Sequence, residues 1–173
     1  MLMATPCDPH EARAAVRFLC DYDRPAYLRL GKAGEKVLHD GPLVLQAPAF
    51  PRLCDGEGIA ILACGSMAAV ALEAAPQLGA AVYSAALWCD GPDTAETIAQ
   101  LVRSQRRVIV VEEHLPAGGF GSFVREQLEP WPDLQSRVRC LALKSVVCNK
   151  VGSQQFLRRE SDLTSAAIVR AAA

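Results

Sequence analysis

From Gly58 onward, apolar runs typical of strands alternate with helical ones: Ile59-Ala-Ile-Leu-Ala63, a helix from Met67 to about Gln77, Ala81-Val-Tyr-Ser-Ala85, a helix from Thr94 to about Ser104, then Arg107-Val-Ile-Val-Val111. Strands separated by helices of this length are not joined by hairpins; they are joined by crossovers and lie parallel. Parallel strands are covered on both faces, so runs such as 59–63 and 108–111 are apolar throughout instead of alternating. Composition agrees, because 51% of residues are hydrophobic and only 6% aromatic, which gives an aliphatic core. With another strand predicted over Val138–Leu143 and a capped helix over Ser161–Ala172, the expected fold is α/β. It has three layers, α/β/α, around a mainly parallel five-stranded sheet with one antiparallel edge strand.

The chain before Gly58 reads differently. Asp8-Pro9-His10-Glu11 starts a helix: Asp8 can cap, Pro9 suits the first helical position and Glu11 can reach back toward the cap. That helix is predicted to end near Cys20. Arg24-Pro25 breaks it, Ala26-Tyr-Leu-Arg-Leu30 alternates as a strand, and Gly31-Lys-Ala-Gly34 closes in a loop. Gly41, Pro42, Pro48, Pro51 and Gly56 surround one short apolar run, Leu43-Val-Leu45, which marks a linker with one edge strand. The expected organisation is therefore 1–34, a linker over 35–57, and a domain over 58–173.

Several function classes are excluded. Eighteen Lys and Arg against 19 Asp and Glu leave a net charge of −1, so no broad field attracts nucleic acid or an anionic membrane. No run approaches the roughly 18 apolar residues that a membrane helix needs. Seven scattered cysteines, with no C-x-x-C pair and no metal-type spacing, read as small buried hydrophobes of a cytoplasmic protein. No metal set is expected from spacing. His10 and His39 read as surface residues, Ser66 as a helix N-cap, and Arg103-Ser-Gln-Arg-Arg107 as charges closing a helix.

The most specific phrase is Val110-Val-Glu-Glu-His114 followed by Gly118-Gly-Phe-Gly-Ser122, with a short helix expected from Ser122 to about Glu129. A strand ending in carboxylates and then a glycine loop places Glu112, Glu113, His114, Gly119, Gly121 and Ser122 on the C-terminal rim of the sheet, where α/β proteins collect ligands. The alternative is structural: the glycines permit close helix-on-strand packing and the polar groups are hydrogen-bonded loop residues. The loop is neither a dinucleotide fingerprint, since Val124 stands where Gly or Ala is wanted, nor a P-loop.

Four phrases in order, Tyr27-Leu-Arg-Leu-Gly-Lys32, Gly58-Ile-Ala-Ile-Leu-Ala-Cys-Gly-Ser66, Ala71-Leu-Glu-Ala74 and the rim phrase, resemble transketolases over about residues 8–160. The resemblance implies that residues 1–34 are the end of a pyrimidine-binding domain and 58–173 a transketolase C-terminal domain. It implies no catalytic residue and no cofactor held by this chain alone, because the groups that grip thiamine diphosphate and Mg²⁺ in the family have no counterpart here. The expected partners are a second copy in a homodimer or a separately encoded thiamine-diphosphate-binding subunit. The complete assembly would transfer two-carbon ketol units between sugar phosphates. Lys32 matches a family position, usually Arg, that holds the sugar-phosphate end; Lys offers a point charge in place of a bidentate fork. Cys89-Asp-Gly-Pro-Asp93 departs from the family's Lys-Pro-Leu-Asp phrase. Two alternatives remain: a stand-alone module binding a small anion or a protein, and a structural homodimerisation domain.

Overall fold

The structure is a computed structural model that describes residues 1–31, 34–144 and 149–173. Its main sheet has five strands: β3 (Arg52–Cys54), β4 (Ile59–Ala63), β5 (Ala81–Ser84), β7 (Arg107–Val111) and β8 (Val138–Leu141). Their order is β3-β5-β4-β7-β8; β5, β4, β7 and β8 run parallel and β3 is the antiparallel edge. Helices α2 (Met67–Leu78) and α3 (Pro92–Arg103) make the crossovers, followed by α4 (Phe120–Gln127), α5 (Pro132–Gln135), α6 (Gln154–Glu160) and α7 (Ser165–Ala172).

Alternation along the strands sends side chains to two separate cores. Ile59, Ile61 and Ala63 of β4, with Ile109 and Val111 of β7, pack under α2 and α7, which contribute Met67, Ala71, Ile168 and Ala172. Ala60, Leu62, Val108 and Val110 face the opposite side, against Ile98 and Val102 of α3, Phe120 and Val124 of α4, and Leu134 of α5. The expected three-layer α/β/α arrangement is thus present. Alanines at 68, 71, 74 and 75 let α2 lie close to the sheet, and Gly79, at φ +58°, ends it in the left-handed conformation.

A second sheet joins the N-terminal segment to the main body. Strand β1 (Leu2–Ala4) pairs in parallel with β2 (Ala26–Leu28) and antiparallel with β6 (Leu87–Trp88), and α1 (Pro9–Cys20) packs on it through Ala14 and Ala15. Asp8 caps α1 by accepting from Glu11 N at 2.8 Å, with Pro9 in the first turn.

Three expectations are corrected. Leu43–Leu45 forms no strand: Leu45 is buried in the small-sheet core while Val44 is 86% exposed, and the edge strand is β3, beginning directly after Pro51. Proline is tolerated at the start of an edge strand, where no ladder hydrogen bond is lost. Helix α4 starts at Phe120, two residues early, because a carboxylate from β7's end serves as its cap. The C-terminal region holds two helices, broken at Asp162, which has φ +57°. Among the described residues no helix is long and apolar enough to cross a membrane.

Ile109 is fully buried in the central strand. Ile109→Ala is expected to cost about 2–5 kcal/mol, read in urea unfolding as a lower midpoint with an unchanged slope.

Candidate functional site

Parallel strands deliver their following loops to one end of the sheet, so residues 64–66 after β4 and 112–114 after β7 meet there. Glu112 is 1% exposed and turns beneath the glycine loop, where its carboxylate accepts from Phe120 N at 2.5 Å and from Gly121 N at 2.9 Å. It thereby satisfies two amides that α4 leaves unpaired at its start. Burial pushes the Glu112 carboxyl up, and the Gly121 and Phe120 amides only partly oppose that rise. Close packing explains two glycines: a Cβ on Gly119 would lie 2.7 Å from Leu115 O, and one on Gly121 2.9 Å from Cys140 Sγ.

Glu113 faces the other way. Its carboxylate accepts from Ser66 Oγ at 2.7 Å, Arg158 Nε at 2.7 Å and Gln154 Nε2 at 2.9 Å, and Arg158 Nη2 also reaches Ser66 Oγ at 2.8 Å. The Arg158 and Glu113 side chains are only 15% and 17% exposed, so this pair is shielded from the solvent that weakens surface ion pairs. Burial alone would raise the Glu113 carboxyl; the Arg158 and Ser66 hydrogen bonds and the Arg158 charge outweigh it and hold the group low. Arg29 Nη2 donates to Glu113 O at 2.9 Å, which ties the small sheet to the rim.

These groups border a cleft of about 110 Å³ lined by Thr5, Arg29, Glu35, Cys64, Ser66 and Glu113, among others. Of the six rim residues read from sequence, Glu112, Gly119 and Gly121 form one packed unit under α4, and Ser122 Oγ donates to Gly119 O at 2.8 Å. Glu113 belongs to the ion cluster, and His114 is exposed with Nδ1 donating to Leu115 O at 2.8 Å. Lys32 lies outside the described residues. Ser66 makes no side-chain cap bond; its hydroxyl is drawn into the Glu113 cluster instead. Sequence reasoning missed Arg158 and Gln154, which lie 45 and 41 positions from Glu113 in a short helix that is capped by Ser153 and buries none of its residues.

Residues 50–168 match the family model described as transketolase, C-terminal domain. The chain belongs to that family. A 1-deoxy-D-xylulose-5-phosphate synthase from Methylobacillus flagellatus is 32% identical over 174 residues, 99% of this chain and 28% of that protein. An apulose-4-phosphate transketolase subunit from Phocaeicola vulgatus is 30% identical over 136 residues, 76% of this chain and 44% of that one. A solved structure described as a split-gene transketolase, an inactive tetramer of its beta chain, superposes with a TM-score of 0.83 at 27% identity, covering 99% of this chain and 56% of that chain. The chain therefore spans from about a quarter to somewhat over half the length of these relatives.

Among the described residues, the rim of this transketolase C-terminal section does not fit thiamine diphosphate. The α4 amides that could meet a diphosphate already hold Glu112. The neighbouring cleft, about 110 Å³, falls below the usual size of a cofactor site.

The two glutamates respond differently to substitution. Glu112→Ala strands two amides and is expected to cost about 2–4 kcal/mol in urea unfolding, with Glu112→Gln costing less because its amide oxygen still accepts. Glu113 is depressed in the folded state, so its contribution is present above its ordinary value of 4.5 and is lost as pH falls through the lower folded value. Glu113→Gln is expected to flatten the decline in stability below about pH 4.5, checked by thermal melts across pH 3–7.

Proposed function

We propose that this chain is the C-terminal section of a thiamine-diphosphate-dependent transketolase-type assembly, inactive alone, whose cofactor-gripping groups are supplied by other parts of that assembly. The observation that carries the reading is the family match over residues 50–168 on a chain covering 44% of a protein named as one subunit of a transketolase and 56% of a split-gene transketolase chain. Within it, residues 1–34 are the end of a pyrimidine-type domain, 35–57 the connector and 58–173 the C-terminal domain. The partner is a separately encoded thiamine-diphosphate-binding polypeptide, with a second copy of this chain completing a dimer. The assembly's reaction is transfer of a two-carbon ketol unit between sugar phosphates. Thiamine diphosphate would carry the bond-making chemistry, while this chain contributes a rigid wall beside the entrance.

The rim supports this role. Its carboxylates are held by the fold's own amides and by Arg158, so the surface offered to a partner is stiff and its charges are already matched. The small-anion alternative lacks this support, because the α4 N-terminus is filled by Glu112.

Calorimetry of the purified chain with thiamine diphosphate and Mg²⁺ is expected to give no binding heat, whereas tagged chain is expected to co-purify with a polypeptide that does bind the cofactor. Sub-millimolar cofactor affinity of the isolated chain would overturn the reading.

A further inference from the structure

Far from the rim in sequence terms, the α1 N-terminus gathers four groups whose spacing gave no metal signal: Cys7, Asp8, Glu11 and His39. The ligating atoms of Cys7, Asp8 and His39 all lie within 4.8 Å of one another. Glu11 is completely buried, and although its Oε2 accepts from Cys7 N and Ser84 Oγ, both at 2.8 Å, its Oε1 has no hydrogen-bond partner among the described residues. The atom facing it is His39 Nε2, 3.5 Å away and equally without a hydrogen-bond partner. The two buried atoms stand at ion-pair distance yet make no hydrogen bond to each other, an arrangement that a bridging third species would satisfy.

We propose that Cys7 Sγ, Glu11 Oε1 and His39 Nε2 bind one Zn²⁺ ion, with Asp8 as the carboxylate that orients the imidazole. The 3.5 Å between His39 Nε2 and Glu11 Oε1 matches the roughly 3.3–3.6 Å that separates two N or O ligands held about 2.0–2.2 Å from a tetrahedral zinc. A sulfur, a nitrogen and an oxygen form the borderline-soft set that favours zinc over Mg²⁺ or Ca²⁺. Asp8 is already committed: Oδ2 accepts from Leu38 N and His39 N at 2.9 Å and from His39 Nδ1 at 3.2 Å, and Oδ1 from Glu11 N at 2.8 Å. With Nδ1 donating to a carboxylate, His39 presents Nε2 as the ligand, the pairing that usually accompanies histidine on zinc.

The ion would clip the connector at His39 onto the start of α1 and, through Ser84, onto β5. Without metal, one proton shared between Glu11 and His39 would have to fill the same gap. His39 is in either case a half-buried joint, its side chain 14% exposed, and not the surface residue expected from sequence.

The test uses the full chain stripped by a chelator, then titrated with Zn²⁺ in competition calorimetry and with Co²⁺ by absorption. One equivalent is expected, with a thiolate-to-cobalt charge-transfer band and the strong visible bands of tetrahedral cobalt. Cys7→Ser should abolish the charge-transfer band. His39→Gln should lower zinc affinity at least tenfold, and Asp8→Asn, which keeps the helix cap, should lower it about 10–100-fold. Cys64→Ser should change neither. No stoichiometric binding by the unaltered chain, which needs no variant to fold, overturns the proposal and leaves the shared proton. A charge-transfer band that survives in Cys7→Ser also overturns it, because the metal would then sit on another cysteine.

Discussion

Everything in this molecule is arranged around one pair of parallel strands, β4 and β7, buried on both faces and in register from Ile59 opposite Arg107 to Ala63 opposite Val111. Backbone groups satisfied only along the ladder and side chains on both faces need helices above and below, and crossovers then deliver every strand's following loop to the same end. That is why residues 64–66 and 112–114 meet although they are far apart in the chain. It is also why the extended N-terminal segment, with Thr5 and Arg29 on the same cleft, can be pinned there by a bond from Arg29 to Glu113 O.

At that rim two adjacent glutamates have opposite fates. Glu112 turns inward to close the α4 N-terminus and its carboxyl is pushed up by burial; Glu113 turns outward to Arg158 and is held low. Alternation at the end of a strand is enough to separate them. Both are used to join elements, so the rim is a stiff surface with its charges matched internally, suited to packing and poor at gripping a diphosphate.

Much of the main fold was legible because its signals are local. The buried runs at 59–63 and 107–111, the Asp8-Pro9 helix start and the glycine loop all came out where the residues placed them. What escaped the reading depended on distant partners. Strand β1 is only Leu2–Ala4 and exists because β2 and β6 flank it; three residues carry no periodicity. Helix α4 begins at Phe120 because of a carboxylate eight residues earlier, where local rules favoured Ser122. Ser66 looked like a cap until Glu113 and Arg158 claimed its hydroxyl, and His39 looked exposed until Asp8 held its ring. The site was therefore half readable: the glycines and glutamates announced a rim, and the residues that neutralise it were hidden by sequence distance.

In the proposed assembly this transketolase C-terminal section builds a wall and leaves the ignition of the cofactor to the other parts. The most direct test is turnover of ketose phosphate by the purified chain supplied with thiamine diphosphate and Mg²⁺ and no other polypeptide. A rate equal to the protein-free background is expected; sustained turnover proportional to the concentration of this chain would contradict that division of labour.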